Sequence, residues 1–181
     1  MKFLKNPVVA VLLSLIIIIA SSAISIDVKL SNRAGKVINR FYDGNGTKSI
    51  GVLLDELCRL SDDLAPLADN YGLDTDTAAG KSRELKQMIS RRESDISAVY
   101  KVYNELSNSS QNILNSLESM SLSERHTQMV STYSDEFAEI KNGIESSGYN
   151  ESVRKFLKSY GKFPARNFAE LFSVTYPAYF N

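Results

Sequence analysis

One cysteine, one histidine and no net charge are what this sequence offers least, and each shortage removes a class of function. With Cys58 alone, no intramolecular disulfide framework can form, and every multi-cysteine zinc or iron–sulfur pattern is excluded. With His126 alone, histidine-pair metal sites are excluded, and a histidine-based triad has one candidate base at most. Lysine plus arginine number 21, as do aspartate plus glutamate, so no basic field attracts nucleic acid. What remains is a chain of 181 residues, 43% hydrophobic, which suits one folded domain rather than a disordered chain.

The most conspicuous segment is Val8 to Ile26, VVAVLLSLIIIIASSAISI, charge-free and bounded by Lys5 and Asp27. As a helix it is roughly 29 Å long, close to the bilayer's hydrocarbon thickness of about 30 Å. A retained transmembrane anchor is therefore expected. The rival is a cleaved signal peptide, with Lys2 and Lys5 as its basic start and Ser21-Ser22-Ala23 as its cleavage site. Apolar character continues through Ile24 and Ile26, which favours the anchor. Lys29, Arg33, Lys36 and Arg40 outnumber the basic residues before the span, so the positive-inside rule leans towards a cytoplasmic bulk domain.

After the span, Ala34, Val37, Ile38 and Phe41 lie on one side of a short helix, and Asp43-Gly44-Asn45-Gly46 reads as a hinge. Thr47 then caps a helix with the stripe Ile50, Leu53, Leu54, Leu57, Leu60, Leu64, Leu67 and Tyr71, ended by Gly72. Past the polar stretch 74–80, Leu85, Ile89, Arg92, Ile96, Val99, Tyr103, Leu106, Ser110, Ile113, Leu117 and Met120 alternate steps of four and three. That seam predicts one rod about 54 Å long. Ser121 and Glu124 have capping-box spacing, and the stripe Leu122, His126, Met129, Tyr133, Phe137, Ile140 and Ile144 predicts an antiparallel neighbour. Beyond Gly143 and Gly148 the stripe resumes out of phase at Tyr149, Val153, Phe156 and Tyr160, which predicts a distortion.

The last 33 residues hold nine of the seventeen aromatic rings, with Arg154, Lys155, Lys158, Lys162 and Arg166 among them. Phe163-Pro164 ends the long helix, Phe168 to Phe172 suit a further turn or two, and Tyr176-Pro177 starts a strap. Rings at this density either fold onto the bundle or rest at the membrane interface, and intramolecular packing of Phe168, Phe172, Tyr179 and Phe180 is preferred.

Tyr149-Asn150-Glu151-Ser152-Val153, Phe163-Pro164, Ala169-Glu170-Leu171-Phe172 and Tyr179-Phe180 resemble the ending of the bacterial LemA family: Tyr-Asn, a helical spacer, Phe-Pro, Leu-Phe and a final Tyr-Phe. Asp63-Leu64-Ala65-Pro66-Leu67 is similar to the family's Asp-Leu-Ile-Pro-Asn core. The resemblance covers Leu57 to Phe180 and the anchor. Departures are Ser61-Asp62 in place of basic residues, Leu67 in place of asparagine, and Ser173-Val174 in place of Gly-Phe. A role resting on those family residues is not carried over. The resemblance implies a membrane-anchored bundle of long antiparallel helices, its short N-terminus outside, with no established enzymatic activity. Some members are encoded near membrane metalloproteases, which implies a partner of that class.

Reactive motifs are otherwise absent or better explained by structure. His126 falls on an apolar stripe and reads as a satisfied interfacial residue; Cys58, beside Leu57 and Leu60, reads as a small buried one. Asp74-Thr75-Asp76 lacks the later ligands of a calcium loop, with Leu85 where its glutamate belongs. Gly46-Thr47-Lys48-Ser49 differs from a phosphate loop by an inserted threonine, and no strand precedes it. Asp62, Asp63, Asp135, Glu136 and Glu139 read as a solvated face.

The sequence thus predicts an all-α protein: an N-terminal transmembrane helix followed by an elongated antiparallel bundle of three to four long helices. Residues 1–26 are the anchor, 27–46 a juxtamembrane helix and hinge, and 47–181 a LemA-like bundle with an aromatic strap. No catalytic, cofactor-binding or metal-binding residue is assigned, and no cofactor or small-molecule substrate. The expected partners are the lipid bilayer and other proteins, and the expected role is a scaffold or adaptor at the bacterial cell membrane. The alternative is a secreted binding protein released by cleavage at Ala23.

Overall fold

The computed structural model describes residues 7–44, 48–162, 167 and 174–181. Among the described residues six helices succeed one another: α1 Pro7–Asp43, α2 Ile50–Asn70, α3 Asp76–Arg91, α4 Ile96–Glu118, α5 Glu124–Ser146 and α6 Tyr149–Tyr160. Among the described residues there is no strand, so the chain is all-α. It divides into two compact units, one of Met1–Lys36 with Arg154–Tyr176, the other of Val37–Val153 with Pro177–Asn181.

The first unit contains most of α1 and the later part of α6. Leu30 and Ala34, one turn apart, are buried, whereas Val11, Ile17 and Ile24 are 65%, 65% and 60% exposed. Among the described residues, no helix is long and apolar enough to cross a membrane. Most side chains of the apolar run 8–26 lie outside the described residues. In the same unit, the Phe156 and Tyr176 rings meet edge to face at 5.2 Å, and the Tyr176 hydroxyl donates to the Tyr160 carbonyl at 2.7 Å. The helix ends at Tyr160; the next amide, of Gly161, donates to the Leu157 carbonyl at 2.8 Å, an approach that a Cβ, 2.6 Å from that oxygen, would forbid. Phe163-Pro164 and Phe168 to Phe172, the expected terminator and extra turn, lie outside the described residues.

In the second unit α2 is central and packs against α3, α4 and α5; α3 also packs on α4, and α4 on α5. Four helices of a bundle result, joined by connections short enough to make neighbours antiparallel. The expected α2 stripe from Ile50 to Leu67 is buried, with Tyr71 half-buried and Gly72 at φ 70°. Each such aliphatic side chain contributes about 1.5–3 kcal/mol on burial.

The expected single rod from Leu85 to Met120 is corrected to a hairpin of α3 and α4. Arg92 adopts the left-handed conformation at φ 52°, and the amides of Arg92 and Glu93 return to the Ile89 and Met88 carbonyls, closing α3. Asp95 then caps α4, accepting from the Ala98 amide at 3.1 Å. A charged residue on the seam thus marked a break, and the two stripes face each other instead of a partner rod. Two caps also move. Ser49 caps α2, accepting from the Val52 amide at 3.1 Å, while Thr47 lies outside the described residues. Ser123 rather than Ser121 caps α5, accepting from the His126 amide at 3.3 Å, so the carboxylate three residues on that a capping box requires is replaced by His126.

The expected distortion falls at Gly148, at φ 70° between α5 and α6, and not at Gly143. Gly143 stays helical, and a Cβ there would lie 3.0 Å from a Leu53 methyl; its absence lets α5 approach α2 closely. The hinge after α1 begins at Gly44, φ 71°; Asn45 and Gly46 lie outside the described residues.

Candidate functional site

Polar or aromatic groups gather at several places among the described residues of the second unit. The most ordered is an aromatic clamp on the end of the strap. Phe180 is 5% exposed and stands 5.2 Å from the Phe41 ring and 5.1 Å from each of Tyr100 and Tyr103; Phe41 also meets Tyr149 edge-on at 5.2 Å. The contacts of Phe180 with Phe41 and Tyr100, and of Phe41 with Tyr149, are edge to face, which suits the ring quadrupoles; Tyr103 is tilted at 42° to Phe180. Gly148 releases α6 to start at Tyr149, which puts Asn150 beside the strap. Its carboxamide donates to the Phe180 carbonyl at 3.1 Å and accepts from the Phe180 amide at 2.8 Å, pairing with a backbone as a strand would. The Tyr149 hydroxyl donates to the Ala178 carbonyl at 2.9 Å, and burial pushes that phenol far above its ordinary pKa. Tyr179, by contrast, is 37% exposed, and Phe168 and Phe172 lie outside the described residues.

The second place is an open groove of about 630 Å³ beside α4, lined by Asp74, Thr77, Glu105, Asn108, Asn112 and serines. Both carboxylates already have partners. Asp74 accepts from the Asp76 amide at 2.9 Å, and Glu105 is paired with Lys81 at 2.7 Å, which holds its carboxyl below the ordinary range. The third is a cavity of about 220 Å³ where the start of α2 meets the α5–α6 corner, lined by Arg40, Lys48, Ser49, Ser147, Gly148 and Ser152.

His126 and Cys58, the two singular residues, are both structural in their contacts. His126 Nδ1 lies 2.7 Å from the Tyr71 hydroxyl, joining the end of α2 to the first turn of α5. Sequence gave no sign of this pair, which spans 55 positions. Cys58 is fully buried, its Sγ 3.6 Å from the Ser82 carbonyl, while Ser82 donates to Asp62 at 2.8 Å and Lys86 pairs with Asp62. Burial pushes the thiol from 9.0 up to about 12, so it stays protonated near neutral pH. The acidic residues expected on a solvated face are in part paired: Asp63 with Arg59 at 3.2 Å, and Glu136 with the same arginine at 3.6 Å.

Among the described residues, no group of three or more His, Cys, Asp or Glu side chains is placed to hold a metal ion. No family model, curated protein or solved structure matches the chain.

Proposed function

We propose that this chain is a LemA-like single-pass membrane protein that works as a non-enzymatic scaffold or adaptor at the bacterial cell membrane. The observation that carries the reading is the exposure of Val11, Leu15, Ile17 and Ile24 along α1, in a run without a charge from Val8 to Ile26. Each such side chain left in water forgoes about 1.5–3 kcal/mol, and a bilayer around the helix recovers it. The two terminal motifs of the resemblance, Tyr149-Asn150 and Tyr179-Phe180, contact each other through Asn150 and Phe180, which supports the family reading. The bulk of the chain lies on the cytoplasmic side, following Lys29, Arg33, Lys36 and Arg40. Protein partners, a membrane metalloprotease among them, dock on the bundle.

Fractionation of the expressing cells with N-terminal sequencing of the mature protein tests the anchor. The expected result is membrane-bound protein with the segment through Ile26 intact. A soluble form beginning at Ile24 would overturn it in favour of the secreted binding protein.

A further inference from the structure

We propose that the cavity between α2 and the α5–α6 corner binds an oxyanion of the phosphate class. The inference goes beyond the membrane reading and does not depend on it. Two exposed cations from separate segments, Arg40 near the end of α1 and Lys48 just before α2, line one partly open cavity together with the Ser49, Ser147 and Ser152 side chains. Among the described residues no carboxylate lines it. At about 220 Å³ it has room for several waters of roughly 30 Å³ each, and so for a phosphate with part of its hydration.

The cations are placed to be recruited. Among the described residues Arg40 makes no ion pair; its guanidinium donates to the neutral Ser152 hydroxyl at 3.2 Å, leaving a planar fork suited to two phosphate oxygens. Lys48 is paired with Glu56 at 2.8 Å, but its side chain is 64% exposed, and such an exposed pair contributes little that an anion bound between Lys48 and Arg40 would not replace. Glu56 lines the adjacent cleft rather than this one. Gly44 and Gly148, both left-handed, turn the backbone at the cavity without filling it with side chains. The starts of α2 and α6 add partial positive charge, but the cavity's cations and hydroxyls, brought together from three segments, carry the inference. Lys48-Ser49 belongs to the Gly46-Thr47-Lys48-Ser49 segment whose sequence fell short of a nucleotide loop; no strand precedes it, and a phosphate group rather than a whole nucleotide is what the space admits.

The same chemistry is offered by free phosphate and by a phosphomonoester lipid headgroup, and hydrogen exchange on the full chain separates them. The readout is amide exchange in the first turns of α2 and α6, with α4 as internal control. In a phosphate-free nonionic detergent, inorganic phosphate is added; in a second arm the protein sits in phosphatidylcholine nanodiscs with and without phosphatidic acid. Saturable slowing at both helix starts, weakened about tenfold or more in apparent affinity by Arg40→Gln, is expected. Slowing by phosphate assigns a free anion, and slowing by phosphatidic acid alone assigns a headgroup. No slowing in either arm, or equal slowing in Arg40→Gln, overturns the proposal. If Arg40→Gln also alters α4 exchange, the exposed Lys48→Gln variant replaces it, and equal slowing there overturns the proposal in the same way.

Discussion

Phe180→Ala removes the ring that closes the aromatic clamp. Truncating a buried phenylalanine costs about 3–5 kcal/mol where the surroundings cannot relax. Here the ring sits on a short strap that can leave its site, so the expected loss is near 2 kcal/mol, the value of the burial itself. Asn150→Ala acts on the same docking from the other side. It strips the Phe180 amide and carbonyl of their partner, a loss of about 1–2 kcal/mol while the strap stays in place. Once Phe180 has gone, the strap no longer needs Asn150, so the double variant should be little worse than Phe180→Ala and the cycle should show coupling near 1 kcal/mol. Asn150→Asp keeps an acceptor for the Phe180 amide but turns a carboxylate towards its carbonyl, and should cost at least as much as alanine. Urea unfolding of the full chain in nonionic detergent, followed by circular dichroism, gives the midpoints. An unchanged midpoint for Phe180→Ala, or strict additivity in the cycle, refutes the clamp as a source of stability.

Leu106→Asp puts a carboxylate at a fully buried position of α4 and should lose several kcal/mol, whereas Glu105→Ala breaks a solvent-screened pair with Lys81 and should be nearly neutral; equal melting temperatures would refute the seam. Arg92→Gly relieves a left-handed backbone worth about 1–2 kcal/mol while giving up the Asp43 pair and the contact over the Tyr42 ring, so it should stay within about 1 kcal/mol of the parent. Arg92→Val, β-branched at the same φ, should be clearly destabilised, and similar midpoints for the two would sink the strain argument. Stability should fall in alkali. The Cys58 thiol has an ordinary pKa of 9.0 and a folded value of about 12, so below pH 9.0 both states hold the proton, and above it the unfolded state loses it first, at up to about 1.4 kcal/mol per pH unit. Cys58→Ala should flatten that first decline and leave the later one from two buried phenols, Tyr42, raised to about 12 mainly by burial, and Tyr149, raised further by the same cause; an identical pH profile in the variant would contradict it.

Helix and stripe were legible because burial repeats every three or four residues: Ile50 to Leu67 is buried where the pattern placed it, and so are Val99, Leu106 and Leu117. The boundary between α3 and α4 was hidden by a coincidence of phase. Both helices present the same spacing, and four intervening residues, Arg92 to Asp95, carry the alternation across the turn without interrupting it. The physical sign was available in Arg92, a charge on an apolar seam, followed by the capping residue Asp95. The caps at Ser49 and Ser123 each lie two residues beyond the expected ones, because several hydroxyls stand together and only backbone geometry selects among them. Packing of Phe180 onto the bundle was expected from the density of rings and is found, but its partners in the clamp were not legible. Asn150 and Phe180 are 30 positions apart, and nothing in their local spacing tells which path the strap takes back to α6. The cationic cavity was half visible: Lys48-Ser49 stood out, but Arg40 and Ser152 enter only when the corner folds.

The clamp makes one further prediction, because a site that holds five residues of its own chain should hold them in trans. The segment from Pro177 to Asn181 has no helix of its own and is fixed by the Phe180 ring and the bonds from Tyr149 and Asn150. Deleting it leaves the Phe41, Tyr100, Tyr103 and Tyr149 rings around an unfilled slot. A peptide PAYFN added to the shortened chain binds only the folded state, so it should raise stability by mass action, about 1.4 kcal/mol at ten times its dissociation constant. The affinity should be low, since one ring and three hydrogen bonds must offset the ordering of five residues at roughly 1–2 kcal/mol each. The control peptide PAYAN keeps the backbone bonds but lacks the ring. A concentration-dependent rise in the urea midpoint with PAYFN and none with PAYAN is expected. Equal effects from the two peptides would mean that the backbone bonds, and not the aromatic slot, hold the strap. No effect from either at millimolar concentration would mean that the strap is held only by its covalent connection to α6.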